Sequence, residues 1–65
     1  MKNKYSLVGV DGNSFSIMGH VSRWMRIEGC SKEEIDKYLE DAKSSDYNHL
    51  LCVSIDMVDK LNNKL

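Results

Sequence analysis

Hydrophobic and polar positions change rhythm along the chain. Residues 4–10, KYSLVGV, gather Tyr5, Leu7, Val8 and Val10, residue types that favour a strand, and end at the turn triplet Asp11-Gly12-Asn13. This pattern predicts a short N-terminal strand. From about 14 to 28 the period becomes helical: at about 100° per residue, Trp24, Ile17, Val21, Met25 and Met18 share an arc about 120° wide. Ser16, His20, Arg23 and Arg26 fall opposite. Asn13 or Ser14 is placed to cap this helix, and Gly29 to end it. Gly19 sits mid-helix, where it costs about 1 kcal/mol against alanine. Close approach of another backbone would compensate.

Ser31-Lys32-Glu33-Glu34 has the form of a capping box and opens a second helix. Ile35, Tyr38, Leu39 and Ala42 make its apolar stripe, Glu33–Lys37 and Lys37–Asp41 are i,i+4 pairs on its wet side, and Ser44-Ser45 marks its end. In the last segment, about 46 to 62, Leu51, Val53, Ile55 and Met57 alternate as in a strand, but Leu50 and Val58 break the alternation. A helical wheel instead puts Val53, Met57, Leu50, Leu61, Tyr47, Val58, Leu51 and Ile55 in one arc, interrupted only by Ser54 and Asn62. A third helix is the better fit.

The expected fold is therefore α+β and mostly helical: one short strand followed by three helices (βααα), in a single small domain over 1–65. Two features point beyond one copy. The apolar arc of the last helix spans about 200°, twice what one packed face needs. A lone strand leaves backbone donors and acceptors unpaired on both edges. Pairing of strands and third helices between protomers would resolve both, so the fold is expected to be completed by homo-oligomerisation. The alternative is a monomer with a second strand within residues 50–57.

Composition narrows the function classes. With 65 residues, 42% hydrophobic and 29% charged, the chain reads as one globular unit near the lower size limit for a self-sufficient core. A net charge of -1 offers no cationic excess for phosphates of DNA. The segment 14–44 has the outline of a helix-turn-helix, yet its second helix, KEEIDKYLEDAK, sets five carboxylates against three lysines and would be repelled from the major groove, so DNA reading is not expected. Tyr5 to Val10 lacks the apolar run of a signal peptide, and no stretch nears the roughly 18 apolar residues that cross a bilayer. No membrane partner is expected. Cys30 and Cys52 are 22 residues apart with no CxxC, and two such thiols read as reduced cysteines of a cytoplasmic protein.

The segment Gly9-Val10-Asp11-Gly12-Asn13-Ser14 joins the expected strand to a helix N-terminus, where backbone N–H groups favour anions. Ser16, His20 and Arg23 follow at i, i+4, i+7 and stack along one side from that end. A hydroxyl, an imidazole and a guanidinium in a row suit a phosphate or nucleotide. The candidate ligand-binding set is therefore Asp11, Gly12, Asn13, Ser14, Ser16, His20 and Arg23. Asp11 has the wrong sign for a phosphate cradle, though it could accept from a base or ribose, and no GKS or GKT marks a P-loop. Ser16 and His20 at i,i+4 permit a nucleophile–base contact, but nothing is placed to orient the imidazole and no oxyanion hole is signalled. No catalytic residue is assigned. Cys30, Cys52, His20 and His49 are zinc ligand types, but only His49 and Cys52 form a tight pair, so no metal or other cofactor is expected. Trp24 and Tyr38 lie on apolar faces and are read as core; Tyr5 and Tyr47 are less committed.

The stretches LVGVDGNSFSIMG, SKEEID and DYNHLLCVSIDMVDKLN resemble a group of short proteins of bacteria, their phages and mobile elements, for which no activity is established. The resemblance covers most of the chain and transfers no functional residue. It implies a setting in which small accessory proteins serve as inhibitors or ligand traps in the conflict between phage and host. The expected function is a non-catalytic, oligomeric ligand trap that sequesters an anionic nucleotide signal of bacterial defence. The alternative is a protein-binding inhibitor or adaptor acting through an exposed helical face.

Overall fold

The computed structural model describes residues 4–63. Three helices, α1 (Ser14–Ile27), α2 (Lys32–Ala42) and α3 (Tyr47–Asn63), pack pairwise around one core. Each boundary has a local cause. The Asn13 side chain accepts from Ser16 N–H at 2.8 Å and opens α1. Gly29, at φ +88°, closes it: Gly29 N–H reaches the Arg26 carbonyl at 3.1 Å and Cys30 N–H the Met25 carbonyl at 2.9 Å. These are the two bonds of a Schellman cap, which needs the left-handed residue that glycine supplies. The capping box is present on both sides, Ser31 N–H to Glu34 Oε1 at 2.8 Å and Glu34 N–H to Ser31 Oγ at 3.1 Å. Asp46 opens α3 by accepting from His49 N–H at 3.0 Å.

The α3 helix runs through residues 50–57, so the alternative of a second strand there is not formed. The first strand is not formed either: residues 4–13 run as bends and turns, and no strand occurs among the described residues. The reason is tertiary. The Asn62 side-chain amide takes both backbone groups of Tyr5, accepting from its N–H at 2.9 Å and donating to its carbonyl at 3.0 Å. Beyond it, Val8 N–H bonds Ser6 Oγ at 3.1 Å, and Val10 N–H bonds the Leu7 carbonyl at 3.1 Å across Gly9 at φ +86°. The segment thus meets much of its hydrogen-bonding need inside one protomer. The βααα description is corrected to three helices with an irregular N-terminal strap, and strand pairing between protomers has no strand to use among the described residues.

The core gathers Ile17, Met18, Val21 and Met25 of α1, Ile35, Tyr38 and Ala42 of α2, Leu50, Val58 and Leu61 of α3, and Tyr5 of the strap. The two polar residues inside the α3 arc each have a dedicated partner. Asn62 holds Tyr5, and fully buried Ser54 shares a 2.7 Å hydrogen bond with the Tyr38 hydroxyl. Only the centre of the wide α3 arc is buried: Leu51, Val53 and Met57 are half-buried on its flanks, and Ile55 is exposed. Trp24 is half-buried, stacked on Tyr5 at 5.2 Å between ring centroids. On α2 the i,i+4 pair that closes is Lys32–Asp36 at 3.0 Å, rather than those through Lys37.

Candidate functional site

The seven residues singled out at the start of α1 divide into two groups of three, with Ser14 in neither. Asp11, Gly12 and Asn13 hold the turn. The Asp11 carboxylate accepts from Asn13 N–H at 3.4 Å and from Asn13 Nδ2 at 3.1 Å, which steadies the capping side chain. The Gly12 carbonyl accepts from the Tyr47 hydroxyl, tying the turn to α3. Asp11 is therefore a brace for the cap, and its sign need not suit a ligand. Ser14 lines a cleft of about 290 Å³ with Phe15, Met18, Ala42, Tyr47 and Leu50, on the other side of the Phe15 ring from the remaining candidates.

Ser16, His20 and Arg23 do come together. They line one shallow depression of about 330 Å³, whose other walls are Phe15 and Gly19. Helical spacing explains it: Phe15, Gly19 and Arg23 succeed one another every four residues, with Ser16 and His20 alongside. The Phe15 ring is 82% exposed, far outside the apolar arc of α1. Gly19 leaves a gap between the ring and the guanidinium. The expected close approach of another backbone is not met among the described residues: a Cβ built at Gly19 would meet none of them within 4 Å.

The electrostatics of this face are one-signed. The α1 helix carries Arg23 and Arg26 and no carboxylate. Arg23 makes no ion pair or hydrogen bond among the described residues. His20 Nδ1 lies 2.8 Å from the Ser16 carbonyl, so it holds a proton and donates. The imidazole is steadied edge-on against Trp24 at 5.8 Å. Because the bond goes to the Ser16 carbonyl, Nδ1 is not available to activate the Ser16 hydroxyl.

Elsewhere, His49 Nε2 pairs with Asp41 at 3.0 Å across the α2–α3 turn, and this carboxylate raises the imidazole pKa above its ordinary value. Cys30 and Cys52 are free thiols. Among the described residues no three His, Cys, Asp or Glu gather as a metal site would require. A surface groove of about 760 Å³ between α2 and α3 mixes Glu40, Asp41 and Asp56 with Lys37 and Lys60 over half-buried Val53 and Met57. No helix among the described residues is long and apolar enough to cross a membrane.

Phe15 and Gly19 are site residues that motif spacing alone does not flag. A signal was present: an aromatic outside the apolar arc, with a glycine four residues on. Against models of known protein families, curated proteins and solved structures, the chain finds no match.

Proposed function

We propose that the protein is a non-catalytic binding protein that captures an anionic, nucleotide-like ligand on the outer face of α1. The observation that carries this reading is the depression around Gly19, where an exposed ring, a hydroxyl, an imidazole and an unpaired guanidinium converge on a helix without carboxylates. Phe15 offers a stacking platform for a base, a contact worth about 1–3 kcal/mol in single-stranded nucleic-acid complexes. Arg23 offers a donor fork matched to phosphate. His20 adds an imidazole edge, and Ser16 a hydroxyl that donates or accepts. Sequestration of a nucleotide signal of bacterial defence, the setting implied by the resemblance, would use such a site. The free thiols of Cys30 and Cys52 suit a reducing compartment such as the cytoplasm.

A thermal-shift screen of nucleotides and cyclic oligonucleotides, followed by calorimetric titration of the strongest hit, tests the reading. Arg23→Ala is expected to weaken binding by about 1.5–3 kcal/mol, the range for a hydrogen bond to a charged group. Affinity should fall with salt more steeply for the wild type than for the variant. Absence of any hit, or an Arg23→Ala variant that binds as tightly as wild type, overturns it. A second reading, docking of a protein partner, is favoured by one observation: the depression is open and its aromatic wall is 82% exposed. Aromatic and arginine side chains are the usual anchors of such contacts.

A further inference from the structure

Phe15, Gly19, Arg23 and Ile27 occupy every fourth position of α1 and form one continuous ridge along its outer face. Phe15, 82% exposed, and Ile27, 59% exposed, are the large apolar residues that α1 leaves in solvent, and they stand at its two ends. Between them, Gly19 opens a gap that nothing among the described residues fills. The ridge runs apolar, small, cationic, apolar, and in reverse order its two middle members exchange places: apolar, cationic, small, apolar. Laid antiparallel on a copy of itself, it puts each Phe15 against Ile27 of the second copy, and each Arg23 over the Gly19 gap of the other helix. A ridge that fits its own reverse is what a two-fold, isologous interface demands.

Charge decides when such a pair forms. Two copies bring Arg23 and Arg26 twice into one seam, and neither α1 supplies a carboxylate. The bare pair repels itself, and an anion between the guanidinium groups removes the repulsion. The seam also supplies what one helix face lacks. Small-ligand sites enclose most of their ligand, whereas the depression on one protomer is open on its outer side.

We propose that the outer face of α1 is half of a two-fold site. A second copy of this chain packs its α1 antiparallel on the first, and a polyphosphate-like anion sits in the arginine seam and drives the pairing. This rests on the anion-binding reading above and names the missing wall of that site.

Sedimentation velocity of the full chain, with and without inorganic pyrophosphate, tests it. Wild type is expected to move from the 7.5 kDa of one chain towards twice that mass as pyrophosphate is added. Gly19→Leu fills the gap; it should keep its helix content and melt no lower than wild type, yet lose the pairing. Arg23→Ser with Arg26→Ser relieves the repulsion and should pair without pyrophosphate. A one-chain mass for wild type and for this double variant under all conditions overturns the proposal, as does a pair that Gly19→Leu leaves intact. Calorimetry separates the two readings. Pyrophosphate binding that depends on Arg23 at one-chain mass removes the two-fold site and keeps the single face. Gly19-sensitive pairing of the double variant, with no anion bound by wild type, keeps the pairing face and removes anion capture.

Discussion

The α1 and α2 helices are neighbours of similar amphipathic build, and their solvent faces could hardly differ more. On α2 the outer face is what an ordinary solvated helix carries: mixed charges, a Lys32–Asp36 pair at 3.0 Å, and no large apolar side chain left in water. On α1 the outer face carries arginines without carboxylates, an exposed Phe15 and a Gly19 that the packing does not require. The inner faces are alike, since both are buried in the same core. Folding accounts for both inner faces and for the outer face of α2. The outer face of α1 is left over, and residues that the fold does not need are where binding is to be sought.

The contrast between inner and outer faces should be widest in stability. Met25→Ala, on the inner face of α1, should destabilise by about 2–5 kcal/mol, enough to unfold most of a domain this small. Phe15→Ala, on the outer face of the same helix, should leave the melting curve near wild type. Circular dichroism melts compare them directly, and an equal loss for both would place Phe15 in the fold after all. Next in size, Ser54→Ala leaves the buried Tyr38 hydroxyl without its partner and should cost about 1–3 kcal/mol by urea denaturation. Val53→Ala, a half-buried neighbour on α3, should cost less.

A smaller effect has the opposite sign. Gly19→Ala should stabilise by about 1 kcal/mol, because the helix gains propensity and the added Cβ meets nothing. In a chain this short that raises the melting temperature by about 4–8 °C. A fall instead would mean that the protomer itself needs the glycine. The smallest effect belongs to the α2 side of the comparison. Asp41 holds the His49 pKa above its ordinary value in the folded state. The folded protein therefore keeps this proton more tightly than the unfolded chain. The pair's contribution is fully present below the ordinary histidine pKa and is lost as pH rises through the higher folded value. Melting temperatures measured from mildly acidic to mildly alkaline buffer should show this small decline, and Asp41→Asn should flatten it.

What is legible in the sequence is local. The capping box at Ser31–Glu34, the Gly29 stop and the helical periods act over a few residues, and each is found where the pattern places it. The ambiguous 46–62 segment resolves as a helix because Leu50 and Val58 weigh against alternation, and both are core residues. The strap misleads because Tyr5, Leu7, Val8 and Val10 have strand propensity, whereas Asn62, distant in sequence, takes both backbone groups of Tyr5, and bonds to Ser6 and Leu7 turn the chain at Val8 and Val10. Propensity carries no trace of such a partner. Ser54 and Asn62 are visible as interruptions of the α3 arc, but their bonds to Tyr38 and Tyr5 exist only once the helices pack. At the site, the row Ser16, His20, Arg23 is readable from spacing. The division that separates it from Asp11, Gly12 and Asn13 depends on side-chain hydrogen bonds that close the turn on itself and on Tyr47.

If ligand is captured on the outer face of α1, backbone amide NMR of the full chain titrated with adenosine diphosphate should locate it there. Saturable shifts are expected from Phe15 to Arg26, strongest around Gly19, with the α2 outer face unmoved and with the response lost in Arg23→Ala. Shifts centred on the groove between α2 and α3, or a spectrum that adenosine diphosphate leaves unchanged throughout, would rule out capture on α1.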